Sequence, residues 1–197
     1  MLVGQNTPVV RGKQITESFF SDNVDKVAIA LIGAIIVTEV ENDGRIIEIE
    51  GQIIETEAYC QRDPAAHCFQ NSRERERLRN GGPPRMHDAM YGPAGNVYIY
   101  PGEGDWCALN FVCGEERYGA GVLIRAIRGS DGCIDEIRKI RKEDWKNVRD
   151  NQLSAGPYTL CRAFKILPKL NKKSLTESGL QLFHPAAPPP EVIAAER

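Results

Sequence analysis

The sequence predicts an α+β fold, a curved and mostly antiparallel sheet with α-helices around it. Three observations lead there. Residues 34–59 place β-branched residues on both sides of Asn42, Asp43 and Gly44, the composition of a tight hairpin turn. Residues 96–112 repeat that arrangement around Pro101, Gly102 and Gly104. The helical spacings are short and separate, and neither strand–helix–strand alternation nor a glycine-rich phosphate loop suggests a nucleotide-binding sheet.

The elements follow in chain order. Val24, Val27, Ala28, Leu31 and Ile32 recur at helical spacing, with Asp22 as the expected N-cap and Gly33 near the end. The first hairpin comes next, with a bulge expected where Gly51 interrupts its second arm. Cys60 to Met90 has no periodicity, and loops of that length in compact domains are usually functional or disordered. After the second hairpin, "GAGVLIRAIRG" reads as a buried strand in which Arg125 stands inside the apolar run and needs a partner or a cleft. Ile134, Ile137 and Ile140 stand three apart among Arg138, Lys139, Arg141 and Lys142, which predicts a short helix with a basic face. "GPYTLCRAFKI" predicts another, with Pro157 in the first turn and Leu160, Cys161 and Phe164 on its apolar side. Residues 1–185 are expected to form one catalytic domain, and 186–197 a loose proline-rich tail.

A chain of 197 residues, 42% hydrophobic and 26% charged, is of ordinary globular composition. Its longest apolar run, Val27 to Val37, is too short to span a bilayer, and no signal sequence is recognisable at the start, so a cytoplasmic protein without membrane contact is expected. The six cysteines are irregularly spaced and never form Cys-x-x-Cys, which fits reduced, packed thiols better than a disulfide framework or a zinc site built on Cys60, His67 and Cys68. No metal or other cofactor is expected. The net charge of −2 does not advertise nucleic-acid binding, so any such surface must be local.

In "IIETEAY", Glu55, Glu57 and Tyr59 fall at i, i+2 and i+4, which on a regular strand puts all three on one face. Alternating Glu and Thr often cover the wet side of a sheet. Here they lead into His67 and the arginines of the following loop, and Tyr98 and Tyr100 stand on the next hairpin. An acid among aromatic plates suits hydrolysis of a glycosidic bond beside a flat ring, because a carboxylate both stabilises an oxocarbenium-like transition state and takes a proton from water. Glu57 lies nearer than Glu55 to the loop where a pocket would open.

The blocks "ESFFSDNVDKVAIALIGAIIV", "IIETEAY", "AAH", "MYGPAGNVYIY", "GVLIRAI" and "LSAGPYTLCRAFKI" occur in an order and at spacings that resemble the alkyladenine (3-methyladenine) DNA glycosylases of the mammalian type. The resemblance implies a monomeric, metal-independent enzyme that flips a damaged purine out of duplex DNA and hydrolyses its N-glycosidic bond. By position, Glu57 becomes the general base and Arg125 the residue that holds the water or the glutamate. Tyr59, His67 and Tyr100 become the walls around the base, and Asn110 the residue that discriminates against guanine's exocyclic amine. Arg73, Arg75, Arg77, Arg79 and Arg85 become candidate phosphate contacts. No lysine matches a nucleophilic role, so strand cleavage through a Schiff base is not expected.

One position departs from the family pattern. Where these enzymes carry Tyr-x-x-Tyr-Gly, the chain reads Tyr100-Pro101-Gly102-Glu103-Gly104, so Glu103 takes the place of the tyrosine that wedges into the base stack. A carboxylate cannot stack, and phosphates repel it. The leading expectation is a monofunctional glycosylase for alkylated or deaminated purines acting on damaged DNA, duplex or single-stranded. The alternatives are a hydrolase of single strands or free modified nucleosides, and a lesion binder without catalysis.

Overall fold

The protein is described by a computed structural model over residues 10–42, 44–69, 76, 80, 88–102, 106–142, 147–187 and 191–195. Among these residues seven strands form, β1 (Arg11–Gln14), β2 (Ile35–Asn42), β3 (Arg45–Cys60), β4 (Val97–Pro101), β5 (Cys107–Val112), β6 (Ala120–Gly129) and β7 (Gln181–Pro185). They form one curved sheet in the order β1-β7-β2-β3-β6-β5-β4, with every neighbouring pair antiparallel. Four α-helices accompany it among the described residues: α1 (Val24–Ala30), α2 (Ile134–Arg141), α3 (Pro157–Ala163) and α4 (Leu175–Ser178). This is the expected α+β class. No helix among the described residues is long and apolar enough to cross a membrane.

Both hairpins form where the turn chemistry puts them. Asn42 pairs with Arg45 around a two-residue turn in which Gly44 takes a φ of +75°, a conformation that costs a residue without Cβ little. In the second hairpin Val97 pairs with Phe111 and Pro101 with Cys107. The strand that carries Arg125 is β6, and α2 and α3 stand where the isoleucine spacing and the Gly-Pro start predict. Leu160, Cys161 and Phe164 are buried as expected. The first helix differs in its cap: Asn23, not Asp22, accepts from the Asp25 backbone N–H at 2.8 Å, while Asp22 Oδ1 accepts from the Asn23 N–H and from Lys26 Nζ. The tail residues 191–195 hold neither helix nor strand.

The bulge is displaced from the expected place. Gly51 pairs regularly with Ile36 and Gly129, and what it provides is close approach. A Cβ there would sit 2.7 Å from the Arg128 carbonyl oxygen and from Ile127 Cγ2, and 2.9 Å from Phe164 Cζ. The β3–β6 ladder instead slips between Ile53 and Thr56: Ile53 faces Ile127, Glu55 faces Ala126 and Thr56 faces Ile124. Each strand thus carries one extra residue, and on β6 the residue passed over is Arg125.

The slip changes the phase of both strands. Before it, Ile49 and Ile53 point into the main core; beyond it Thr56 donates to the Ala28 carbonyl of α1 at 2.9 Å, and Ala58 and Cys60 pack on the same core. The alternate residues, Glu57 and Tyr59, are released to the other side. The predicted basic face of α2 is also altered. Arg141 is buried and donates to the Leu153 and Thr159 carbonyls, Arg138 pairs with Asp150, and Lys139 pairs with Glu136.

Candidate active site

Register builds the site. Tyr98 of β4 faces Asn110 of β5, Asn110 faces Leu123 of β6, and Leu123 faces Glu57 of β3. Four strands therefore contribute one side chain each to a single row, with Tyr100 and Ala108, Tyr59 and Arg125 beside it. Apart from Tyr98, which lies behind the rings, these residues line a cleft of about 250 Å³ completed by Ala65, Ala66, His67, Met90, Pro157 and Tyr158. That volume lies just under the range of about 300–1,000 Å³ typical of small-molecule pockets, and suits one flat ring system.

At its floor, Glu57 is held from two sides. Tyr59 Oη donates to Glu57 Oε2 at 2.6 Å, and Arg125 Nε stands 3.4 Å from Glu57 Oε1. The carboxylate side chain is 12% exposed and the guanidinium 33%, so the acid is sheltered while its counter-ion reaches solvent. This satisfies the sequence requirement that Arg125 find a partner, although the arginine is half-buried rather than enclosed.

The walls are aromatic. His67 stacks on Tyr100 with ring centroids 4.0 Å apart and planes 29° apart, and its Nδ1 shares a 3.3 Å hydrogen bond with the Tyr98 hydroxyl. Burial, helped by neighbouring Tyr100, pushes the Tyr98 phenol well above its usual range and keeps it protonated. A smaller apolar cluster of Ala66, Cys68, Ala89, Met90, Tyr98 and Val112 backs these rings. Buried Ala66 and Cys68 flank His67 and fix it at the mouth. Tyr91 Oη secures the turn by donating to the Cys68 carbonyl at 3.0 Å. The Cys68 thiol itself donates to the Gly119 carbonyl, and burial pushes it up to about 12, so it stands here as a neutral thiol. Asn110, 6% exposed, commits its Nδ2 to the Tyr98 and Ala108 carbonyls at 3.2 and 3.3 Å.

The predicted residues Glu57, Arg125, Tyr59, His67, Tyr100 and Asn110 thus share one cleft. Glu55 does not join them. The ladder slip sends it to a separate groove beside α1, with Ile54, Thr56 and Ala58. Glu103, Arg73, Arg75, Arg77, Arg79 and Arg85 lie outside the described residues. Among the lining residues that the sequence did not single out are Pro157 and Tyr158, which come to the cleft at the first turn of α3. Leu123 and Ala108 were readable in principle, since each stands two residues from a recognised site residue on its strand.

A sheltered carboxylate fixed by a guanidinium and a phenol, at the floor of an aromatic slot, is equipped to activate water beside a planar ring. Comparison with known proteins places the chain in a lineage. The pattern that defines the methylpurine-DNA glycosylase family matches residues 18–197. A relative from Nitrosospira multiformis that bears the name 3-methyladenine DNA glycosylase is 38% identical over 176 residues, 88% of this chain and 77% of its own length. Relatives of the same name from Rhodopseudomonas palustris (strain BisB18) and Methanoculleus marisnigri are 35% and 33% identical over 193 and 172 residues. They cover 94% and 87% of this chain, and 80% and 79% of themselves. The chain belongs to the methylpurine-DNA glycosylase family and is a DNA glycosylase by class.

Proposed function

We propose that this protein excises alkylated or deaminated purines from DNA as a monofunctional, hydrolytic glycosylase, with Glu57 as general base. One observation carries the reading: Glu57, gripped by Tyr59 and Arg125, lies in the same cleft as the stacked His67 and Tyr100. A flipped purine fits between Tyr59 on one side and the His67–Tyr100 pair on the other, where stacking is worth about 1–3 kcal/mol. An alkylated purine carries positive charge, which adds a cation–π attraction for these rings.

The reaction then balances simply. Glu57 accepts a proton from water as the oxygen forms its bond to the anomeric carbon, and the electron pair of the broken C–N bond leaves with the base. The negative carboxylate also lowers the energy of the positive charge that develops on the sugar. Arg125 and Tyr59 act through Glu57, holding it in position. Asn110, with Nδ2 committed to the backbone, presents a rigid edge rather than an adaptable one, which suits discrimination between purines. The working form is a monomer that meets its substrate on the DNA in the cytoplasm.

The test is release of 3-methyladenine, 7-methylguanine or hypoxanthine from duplex and single-stranded DNA, followed by strand analysis. Free base with an intact abasic strand is expected. No release from any DNA removes the assignment, and strand cleavage with a covalent adduct removes the hydrolytic mechanism. Glu103 and Asp105 in the sequence favour a second reading, in which single strands or free nucleosides are preferred. Comparing the three substrates decides it, since faster release from duplex removes that reading.

A further inference from the structure

We infer that the surface from Trp106 along residues 162–173 holds the DNA strand at the mouth of the cleft, with Trp106 supplying the aromatic contact that Glu103 cannot make. The inference rests on the glycosylase reading and extends it to residues outside the pocket.

Trp106 directly follows the tip of the second hairpin and is 37% exposed, one of the few large apolar side chains at the surface. It is fixed against the cleft wall, its ring centroid 5.8 Å from that of Tyr158, edge to face. The chain leaves room for this contact at Gly102. Its N–H donates to the Trp106 carbonyl at 2.6 Å, and a Cβ there would lie 2.9 Å from Trp106 Cβ and 3.1 Å from Tyr158 Cε1. Arg162, one helical turn beyond Tyr158, sets its guanidinium over the indole at 5.3 Å. A partly exposed aromatic plate with a fixed cation beside it is the pairing that nucleic-acid strands use, since bases stack while phosphates seek positive charge.

The cation does not stand alone. From 162 to 173 the chain carries Arg162, Lys165, Lys169, Lys172 and Lys173 and no carboxylate. That segment runs along the hairpin from tip to root. The Cys107 thiol donates to the Ile166 carbonyl, the Ile99 N–H to Asn171 Oδ1 at 3.0 Å, and the Val97 N–H to the Lys173 carbonyl at 2.8 Å. Lys165, Lys169, Lys172 and Lys173 are all exposed. On a chain of net charge −2 this is a local basic strip beginning at the pocket mouth, and no part of it depends on α2, whose cations are engaged elsewhere.

The test uses the full chain with Trp145→Phe, which leaves Trp106 as its one tryptophan. Adding lesion-containing DNA should quench its fluorescence. Trp106→Ala should raise KM for DNA about tenfold while the single-turnover rate at saturating DNA stays close to the parent's, and Trp106→Phe should recover most of the loss. Lys165→Gln with Lys169→Gln should lower the slope of log K against log salt by about two. An unquenched Trp106 with an unchanged KM in the alanine variant overturns the stacking contact, as does a phenylalanine variant no better than alanine. An unchanged salt slope overturns the basic strip. Should Trp106→Ala fail to fold, the fluorescence and the phenylalanine variant still decide. A parent chain that binds and quenches but releases no base removes the proposed function and leaves this surface standing.

Discussion

Glu57→Gln isolates the charge and basicity of one atom group while keeping its volume. The amide oxygen can still accept from Arg125 Nε, now 3.4 Å from Oε1, and the amide nitrogen can donate to the Tyr59 hydroxyl that at present donates to Oε2. The phenol simply reverses its role, so the cleft should keep its shape. Because the Arg125 partner is a third exposed, the lost ion pair should cost stability only about 0–1 kcal/mol. Chemistry should suffer far more. General-base assistance is worth roughly 10²- to 10⁴-fold, which at ~1.36 kcal/mol per tenfold is about 2.7–5.4 kcal/mol of barrier. The assay is single-turnover release of hypoxanthine from an oligonucleotide at saturating enzyme, alongside lesion-DNA binding and Tm. The expected pattern is a collapsed rate with binding and Tm close to the parent. Glu55→Gln is the matched control. It removes an equal charge two residues away in a different groove and should leave the rate unchanged. A Glu57→Gln chain within about threefold of the parent, less than one ordinary hydrogen bond in energy, refutes the assignment of the base.

Gly51→Ala should destabilise by overpacking, about 1–3 kcal/mol, because its Cβ meets a carbonyl oxygen at 2.7 Å; for a chain of this size that lowers Tm by roughly 2–12 °C in calorimetry. Asn110→Ala removes both Nδ2 hydrogen bonds from a buried strand position. It should cost about 1–3 kcal/mol in denaturant unfolding and narrow the gap between excision of damaged purines and of guanine. Ser174→Ala breaks the capping box of α4, in which Ser174 Oγ and the Glu177 side chain each accept a backbone N–H, for about 0.5–2 kcal/mol by the same unfolding measurement. Burial raises the Cys68 and Cys113 thiols from 9.0 to about 12, so the unfolded chain gives up these protons first. The stability they carry is whole below pH 9 and is lost as pH climbs towards 12, which urea titrations across that window should show.

The strand pairings were legible because turn chemistry and β-branched runs act locally. Asn42 to Gly44 and Pro101 to Gly104 mark both hairpins without help from distant residues. The pocket was legible through motif order, and Glu57, Tyr59, His67 and Tyr100 meet as that order implied. Other features depend on contacts that composition does not encode. Glu55 left the expected face because two strands slip together, and no residue between Ile53 and Thr56 announces it. Arg141 looked solvated on its helix and is buried, since the carbonyls of Leu153 and Thr159 come from a distant loop and helix. Tyr158 reached the cleft through the packing of α3 on β5 and β6, which its own helical spacing does not reveal.

The paired slip in β3 and β6 makes the site sensitive to length rather than to identity. Ile54 and Glu55 are exposed, and many substitutions there should pass unnoticed. Removing Glu55 alone would leave the extra residue of β6 unmatched. Every β3 residue from Thr56 onward would then slide by one place, about 3.3 Å along the strand, and Glu57 would lose its present alignment with Leu123 and its grip on Arg125. Removing Ala126, which faces Glu55, at the same time would restore the count on both strands, with Glu57 opposite Leu123 again and Arg125 still on the cleft side. Among relatives, a gap in one of these strands should therefore be accompanied by a gap in the other.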